Sequence, residues 1–107
     1  MDLTVTGRQV EVSAPMREYV KTKLEKLTKH FEHVLDIKVI LSVEKLVQQA
    51  EGTLNVAGKT LHAEASGQDA YAAIDALSDK LDGQIRKHKE RIQDRRGKAP
   101  IALADSQ

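Results

Sequence analysis

The chain of 107 residues contains no cysteine and no tryptophan, only two prolines, and few aromatic residues. Without cysteine it has no disulfide, thiolate metal site or cysteine nucleophile, which suits a reducing compartment. No segment approaches the ~20 apolar residues that a membrane-spanning helix needs, and no basic leader with an apolar run opens the sequence. These absences predict a cytoplasmic protein with no membrane segment.

The net charge of +1 results from cancellation between segments of opposite sign. Residues 80–98 contain eight Lys and Arg residues against three acids, and residues 14–31 contain five against two. The rest of the chain is therefore net acidic. Segregated charge produces a localised positive field, so polyanion binding is the first functional hypothesis.

The hydrophobic pattern predicts one α+β domain with the element order β-α-β-β-β-α. Apolar and polar residues alternate near the N-terminus and in three later stretches, as in half-buried strands. Two stretches repeat apolar residues at helical spacing: Met16, Val20, Leu24, Leu27 and Phe31, then Ala70, Ile74, Leu77, Leu81, Ile85 and Ile92. We predict a four-stranded mixed sheet, its first two strands parallel, with the two helices packed on one face.

Capping residues predict where the two helices begin. Ser13, followed by Pro15 in the first turn, predicts the start of the first helix, which should end near His33. Asp69 caps the second, longer helix. The domain is predicted to span residues 1–96, with a short flexible tail at 97–107.

The strand boundaries rest on weaker signals. Ala57-Gly58 predicts a tight turn between the last two strands. Gln48 and Gln49 are expected near the preceding turn.

Basic residues lie on particular flanks of both predicted helices. Lys80, Lys87 and Arg91 share one flank of the second helix with Gly83, and on the first helix Lys23 and Lys26 lie beside the buried stripe. If these flanks faced each other, they would form a cationic groove between the helices.

Two interpretations of these flanks are possible. In the first they contact phosphates of a folded nucleic acid, with Arg86 and Arg91 making forked contacts and the lysines acting as point charges. In the second they only keep the helix faces soluble, with Glu25 and Lys29 as an i,i+4 pair. The dense run from Arg86 to Lys89 favours anion binding.

The residues on the predicted outer face of the sheet limit which kind of nucleic acid the protein can bind. Reading single strands needs aromatic platforms on an exposed sheet, but the aromatics here fall on predicted helices. The outward sheet positions include Glu44, Glu51 and Glu64, which would repel phosphate. Binding is therefore expected to recognise structured RNA through the helix side.

No metal, cofactor or catalytic site is predicted. His30 and His33 make half a metal site at best, with no evident third ligand. His88 falls on the buried stripe of its helix, and His62 is expected to face solvent from a strand. The acids at positions 75, 79 and 82 are interpreted as solvated. Without a phosphate-binding loop or nucleophile elbow, neither an enzyme nor a small-molecule substrate is indicated.

Several local patterns together resemble one protein family. They are Leu3-Thr4-Val5-Thr6-Gly7, Met16-Arg17-Glu18-Tyr19-Val20, Ser42-Val43-Glu44-Lys45, Gln68-Asp69-Ala70-Tyr71-Ala72-Ala73-Ile74-Asp75, Asp79-Lys80-Leu81 and Lys87-His88-Lys89. In order and spacing they resemble the short ribosome hibernation-promoting factors, a family that includes the ribosome-associated inhibitor and is often labelled sigma-54 modulation protein. The resemblance covers residues 2 to 96.

The resemblance implies a fold like that of double-stranded-RNA-binding domains and a site on the small ribosomal subunit at the decoding region. A domain bound there overlaps the paths of messenger and transfer RNA, so translation stops by occlusion. Short members cooperate with a separate ribosome modulation factor to form inactive ribosome dimers in stationary phase, whereas inhibitor-type members hold single ribosomes idle. The free protein is expected to be a monomer. The label leaves an alternative open, a module that modulates sigma-54-dependent transcription.

The resemblance also assigns candidate RNA-binding residues. Carried over by motif, they are Lys23, Lys26, Lys80, Lys87, Lys89 and Arg91, with Arg86 and Arg8 as weaker candidates. Gly83 departs from the pattern, because relatives often have Arg at this place. The departure removes a cation beside Lys80 and predicts that one RNA contact is missing or replaced by Arg86.

Overall fold

The computed structural model describes residues 2–29, 34–56 and 58–97, with side chains described as far as residue 88. Its elements are β1 (Asp2–Arg8), α1 (Ala14–Lys29), β2 (Val34–Glu44), β3 (Val47–Val56), β4 (Lys59–Gly67) and α2 (Ala70–Gly97). This order confirms the predicted α+β class. Within the described ranges, neither helix combines the length and apolar character that crossing a bilayer demands.

The four strands form one mixed sheet in the order β1-β2-β3-β4. β1 runs parallel to β2, with Val5 opposite Val39, and the other two pairs are antiparallel, with Leu54 opposite Leu61. α1 contacts β1, while α2 contacts β3, β4 and α1. The two helices therefore lie side by side on one face of the sheet, as predicted.

The core lies between the helices and that face of the sheet. Its most completely buried large side chains come from both helices and the central strands: Val20, Leu24, Ile37, Val39, Leu54, Ile74, Leu77 and Leu81. Burying one such side chain contributes about 1.5–3 kcal/mol. The predicted stripes are confirmed for these helical residues, whereas Phe31 and the Ile92 side chain lie outside the described part of the chain.

Both predicted helix caps are present. The Met16 N–H donates to Ser13 Oγ (3.2 Å), and the Ala72 N–H donates to Asp69 Oδ1 (2.8 Å). Each cap satisfies one of the backbone donors that a helix start leaves without a partner. α1 is described as far as Lys29, so the predicted end near His33 falls outside the described residues.

The turn between β3 and β4 agrees with its sequence signal. Val56 pairs with Lys59, which leaves two residues for the loop, and Gly58 has a φ of 83°. Glycine adopts this left-handed conformation without steric cost.

The turn between β2 and β3 lies close to Gln48 and Gln49, as expected, but other residues form it. Glu44 pairs with Val47, so the loop is Lys45-Leu46, and Gln48 and Gln49 belong to β3. Both loop residues have positive φ, 52° and 69°. Such a conformation costs a non-glycine residue about 1–2 kcal/mol. The register is imposed by the paired strands, while the loop sequence contains none of the usual Asn or Gly.

Side chains from both helices bind backbone carbonyls of the two edge strands. On β1, the Val5 carbonyl accepts a hydrogen bond from Arg17 Nη1 of α1 (3.1 Å). On β4, the Glu64 carbonyl accepts one from Lys80 Nζ (2.6 Å), and the His62 carbonyl accepts one from Gln84 Nε2 (2.8 Å). The helices are therefore attached to the sheet edges by polar contacts as well as by the core.

Candidate nucleic-acid interface

The exposed sides of α2 differ because its neighbours differ. We call the residues that face α1, Tyr71, Asp75 and Asp82, the α1-side flank, and those above the β4 edge, Lys80, Gln84 and Lys87, the β4-side flank. Successive helical residues are rotated by about 100°, so the two flanks lie on either side of the buried stripe of Leu77 and Leu81. The candidate RNA-binding residues are distributed unequally between them.

On the α1-side flank, Asp75 is held by two residues of α1. Tyr19 Oη donates to Asp75 Oδ1 (2.7 Å), and Lys23 Nζ lies 3.0 Å from the same oxygen. The Tyr19 ring makes an edge-to-face contact with Tyr71 at 5.0 Å between centroids, and Lys23 Nζ lies 5.7 Å from the Tyr19 ring centre. These contacts join the two helices through one carboxylate, two rings and one ammonium group.

The hydrogen bonds among Tyr19, Lys23 and Asp75 shift the pKa values of all three groups. Hydrogen bonds from Tyr19 and Lys23 lower the pKa of Asp75 below its ordinary value. The hydrogen bond to Asp75 raises the pKa of Lys23 and also that of Tyr19. At neutral pH Asp75 is therefore ionised and Lys23 is charged. The positive charge of Lys23 is largely compensated before any polyanion approaches.

The β4-side flank has a different electrostatic character. Lys80 is exposed, and its ammonium group donates to a neutral carbonyl, that of Glu64. Lys87, about two helical turns further on, is also exposed. Neither lysine forms an ion pair with any carboxylate in the described part of the chain. Within the described residues, this flank therefore presents positive charge that no ion pair compensates.

The remaining candidates lie elsewhere. Arg86 is exposed and forms an i,i+4 ion pair with Asp82 of the α1-side flank. Lys26 is exposed on α1, one turn after Lys23. Lys89 and Arg91 belong to α2, but they lie beyond residue 88, the last residue whose side chain the structure describes.

The structure does not bring the two cationic flanks face to face. Toward α1, α2 presents Asp75, whereas Lys80 lies on its far side, against β4. The described part of the groove between the helices therefore contains an acid paired with a lysine. The helical-wheel positions allowed the two lysine flanks to face each other. For Lys23 and Lys80 this arrangement is wrong.

Sequence reasoning missed the role of Asp75. Placed with Asp79 and Asp82 on a polar face, it was interpreted as a solvated acid, yet it is the acceptor that joins α1 to α2. The available signal was the pair Tyr19 and Lys23, one turn apart beside a buried stripe. A tyrosine with a buried ring usually finds a polar partner for its hydroxyl.

Gly83 lies on the exposed surface of α2, at the border of the β4-side flank. A Cβ placed there would meet no atom within 4 Å. The position therefore needs no glycine for packing, and the Cβ of a larger residue would displace no neighbour.

The opposite face of the sheet carries the acids that the alternation predicted. Glu44 and Glu64 are exposed and Glu51 is half-buried, with the exposed Lys38 also on this face. Because repeated carboxylates repel phosphate, the helix side is the electrostatically suitable side for RNA.

The chain matches a known family over most of its length. The family model described as sigma 54 modulation protein / S30EA ribosomal protein matches residues 3–93. The chain belongs to this family. A relative from Pseudomonas putida, named ribosome hibernation promoting factor, is 47% identical over 93 residues, which cover 87% of this chain and 91% of the relative. The resemblance stated from the sequence motifs is thereby confirmed.

Solved structures of related proteins share the fold. A ribosomal subunit interface protein from Coxiella burnetii superposes with a TM-score of 0.80 at 29% identity, covering 84% of this chain and 99% of that one. The N-terminal domain of Protein Y from Thermus thermophilus gives 0.77 at 31% identity, covering 82% and 99%. The β-α-β-β-β-α architecture is thus the architecture of these relatives.

Proposed function

We propose that this protein is a ribosome hibernation factor that binds the small ribosomal subunit through its basic helix faces. Family membership supports the ribosome as the target, because the similar Pseudomonas protein is named a ribosome hibernation promoting factor. The observation that carries the proposed surface is the β4-side flank, where Lys80 and Lys87 are exposed and no described carboxylate neutralises them.

In this proposal the protein acts by occupancy and catalyses no reaction. The helix side contacts phosphates of ribosomal RNA at the decoding region, while the acidic face of the sheet turns away. A domain at that position excludes messenger RNA and transfer RNA, which inhibits translation in the cytoplasm. We further propose that it supports inactive ribosome dimers during stationary phase, together with a separate ribosome modulation factor.

Charge reversal on α2 tests the proposed surface. The variant Lys80→Glu, Lys87→Glu, Arg91→Glu should lower the affinity for small subunits by at least about 100-fold at moderate salt and should flatten its salt dependence, because phosphate contacts are lost. Sucrose-gradient co-sedimentation at several salt concentrations measures both effects. It also reports ribosome dimers when the modulation factor is added.

A matched control separates the site from a general effect of charge. The variant Lys38→Glu, Lys45→Glu, Lys59→Glu changes the net charge equally, at exposed positions on the strands and the β2–β3 loop. It should bind within about three-fold of the parent. If the α2 variant bound like the parent, or if the control lost as much affinity, the proposed surface would be wrong.

The alternative function, a module acting on sigma-54-dependent transcription, is not favoured by the name of the Pseudomonas relative. Binding to RNA polymerase or its sigma subunit without binding to ribosomes would support it. The same purified chain can be used for both assays.

A further inference from the structure

Three side chains with metal-binding groups meet on the open face of the sheet, away from the helices. They are Glu51 of β3 with His62 and Glu64 of β4, and their ligand atoms all lie within 4.8 Å of one another. Glu51 stands directly opposite Glu64 in the strand register. His62 Nε2 lies 3.5 Å from Glu64 Oε2. The cluster thus combines one imidazole with two carboxylates.

A threonine hydroxyl group contacts the other ring nitrogen of His62 and orients the imidazole. Thr53 Oγ1 lies 3.0 Å from His62 Nδ1, across the β3–β4 pair. In the tautomer that carries its proton on Nδ1, that N–H donates a hydrogen bond to the hydroxyl, and Nε2 is left with a free lone pair near Glu64. Histidine ligands of metal ions commonly have such a partner on the other ring nitrogen, which fixes the ring and its tautomer.

The backbone beneath the cluster is held from two sides. β3 pairs with β4 along the whole cluster, and the carbonyls of His62 and Glu64 accept hydrogen bonds from Gln84 and Lys80 of α2. Ligands placed on paired strands keep their spacing better than ligands on loops. The arrangement therefore requires only side-chain rotation to close around an ion.

The two carboxylates also carry like charges on directly opposed residues. Like charges directly opposite each other on neighbouring strands are destabilising. A divalent cation between Glu51 and Glu64 would remove that repulsion, and His62 would supply the third ligand. Imidazole and carboxylate together suit zinc, whereas calcium and magnesium prefer oxygen ligands alone.

We propose that Glu51, His62 and Glu64 form a binding site for one zinc ion, with solvent completing the coordination. Tetrahedral zinc with bonds of about 2.0–2.1 Å places its ligand atoms about 3.3 Å apart. The 3.5 Å separation of His62 Nε2 and Glu64 Oε2 already matches this value. Glu51, which is half-buried, completes the site by rotating toward them. The site does not depend on ribosome binding.

Calorimetric titration of the metal-free full chain with zinc chloride tests the proposal. The parent should bind one zinc ion, and His62→Asn should abolish saturable binding. Glu51→Gln and Glu64→Gln should each weaken binding at least about ten-fold. Thr53→Val, which keeps the β-branched shape but loses the hydroxyl, should weaken it by about ten-fold through the lost orientation of the ring. Circular dichroism should show each variant folded like the parent.

Two of the other three histidines provide the control. His30→Asn combined with His33→Asn should leave the stoichiometry and affinity unchanged, and two-bond ¹H–¹⁵N spectra should show zinc shifting the Nε2 resonance of His62. Absence of one-to-one binding by the parent would overturn the proposal. Retained binding in His62→Asn, or lost binding in the double control variant, would overturn it equally.

Discussion

The two flanks of α2 carry similar numbers of polar residues but differ in what their charges face. On the α1-side flank, Asp75 meets Tyr19 and Lys23, so the charges are paired within the protein. On the β4-side flank, Lys80 meets a neutral carbonyl. The difference shows that the charge available to a polyanion depends on the neighbouring element as well as on the number of lysines along a helix.

The largest expected difference between the flanks is in ribosome affinity. Lys80→Gln with Lys87→Gln should weaken binding to small subunits by about 10–30-fold, because neither lysine forms an ion pair within the described residues. Lys23→Gln with Lys26→Gln removes the same charge but should cost only about three-fold, since Lys23 is already paired with Asp75 and only Lys26 has no ion pair in the described part of the chain. Filter binding at fixed salt measures both. Equal losses would contradict the comparison.

Gly83 allows the β4-side flank to be strengthened. Gly83→Arg and Gly83→Ala should each stabilise the protein by about 1 kcal/mol, because glycine in a helix interior is unfavourable and the position is open. Only the arginine variant should also raise ribosome affinity, by about three-fold or more. Urea unfolding and co-sedimentation separate the two effects. A gain in affinity with alanine would mean that helix order, rather than charge, limits binding.

The contacts of the α1-side flank should make the free energy of unfolding depend on pH. The lowered pKa of Asp75 contributes stability above the unfolded-state pKa of about 4, and this contribution disappears as pH falls through the folded value. The raised pKa values of Tyr19 and Lys23 contribute stability below about pH 10, and this contribution disappears as pH rises through their folded values. The pairing should therefore be fully effective between these limits.

Asp75→Asn should reduce the loss of stability at both ends of that range. Urea unfolding at acidic, neutral and alkaline pH measures the change. Glu18→Gln is the control, because Glu18 is an exposed acid of α1 with no ion pair in the described part of the chain. If both variants gave the same profile, the Asp75 contacts would not determine the pH dependence.

Much of the fold was predictable because it follows from local periodicity. The alternation of Ile37, Val39 and Leu41 and the helical spacing of Ile74 and Leu77 report directly which face each element buries. The Lys45-Leu46 turn was not predictable, because its conformation is imposed by the strands that it joins. Local sequence contained no residue that favours positive φ there.

The sequence allowed candidate site residues to be proposed one by one, but it did not give their geometry. Helical wheels placed Lys80 and Lys87 on one flank and Lys23 on another, while the rotation of each helix about its axis depends on packing. The contact of Lys80 with a backbone carbonyl and the meeting of Glu51 with His62 have no local sequence signature, because both depend on strand register. Wheel positions therefore identified cations without identifying their neighbours.

The polar contacts between the helices and the edge strands have a consequence for self-association. Exposed edge strands offer unpaired backbone groups that can recruit another chain and start aggregation. Here Arg17 occupies a carbonyl of β1, and Lys80 and Gln84 occupy carbonyls of β4, so both margins of the sheet are partly closed. The same contacts that anchor the helices thus leave fewer free backbone acceptors for edge-to-edge pairing with another copy.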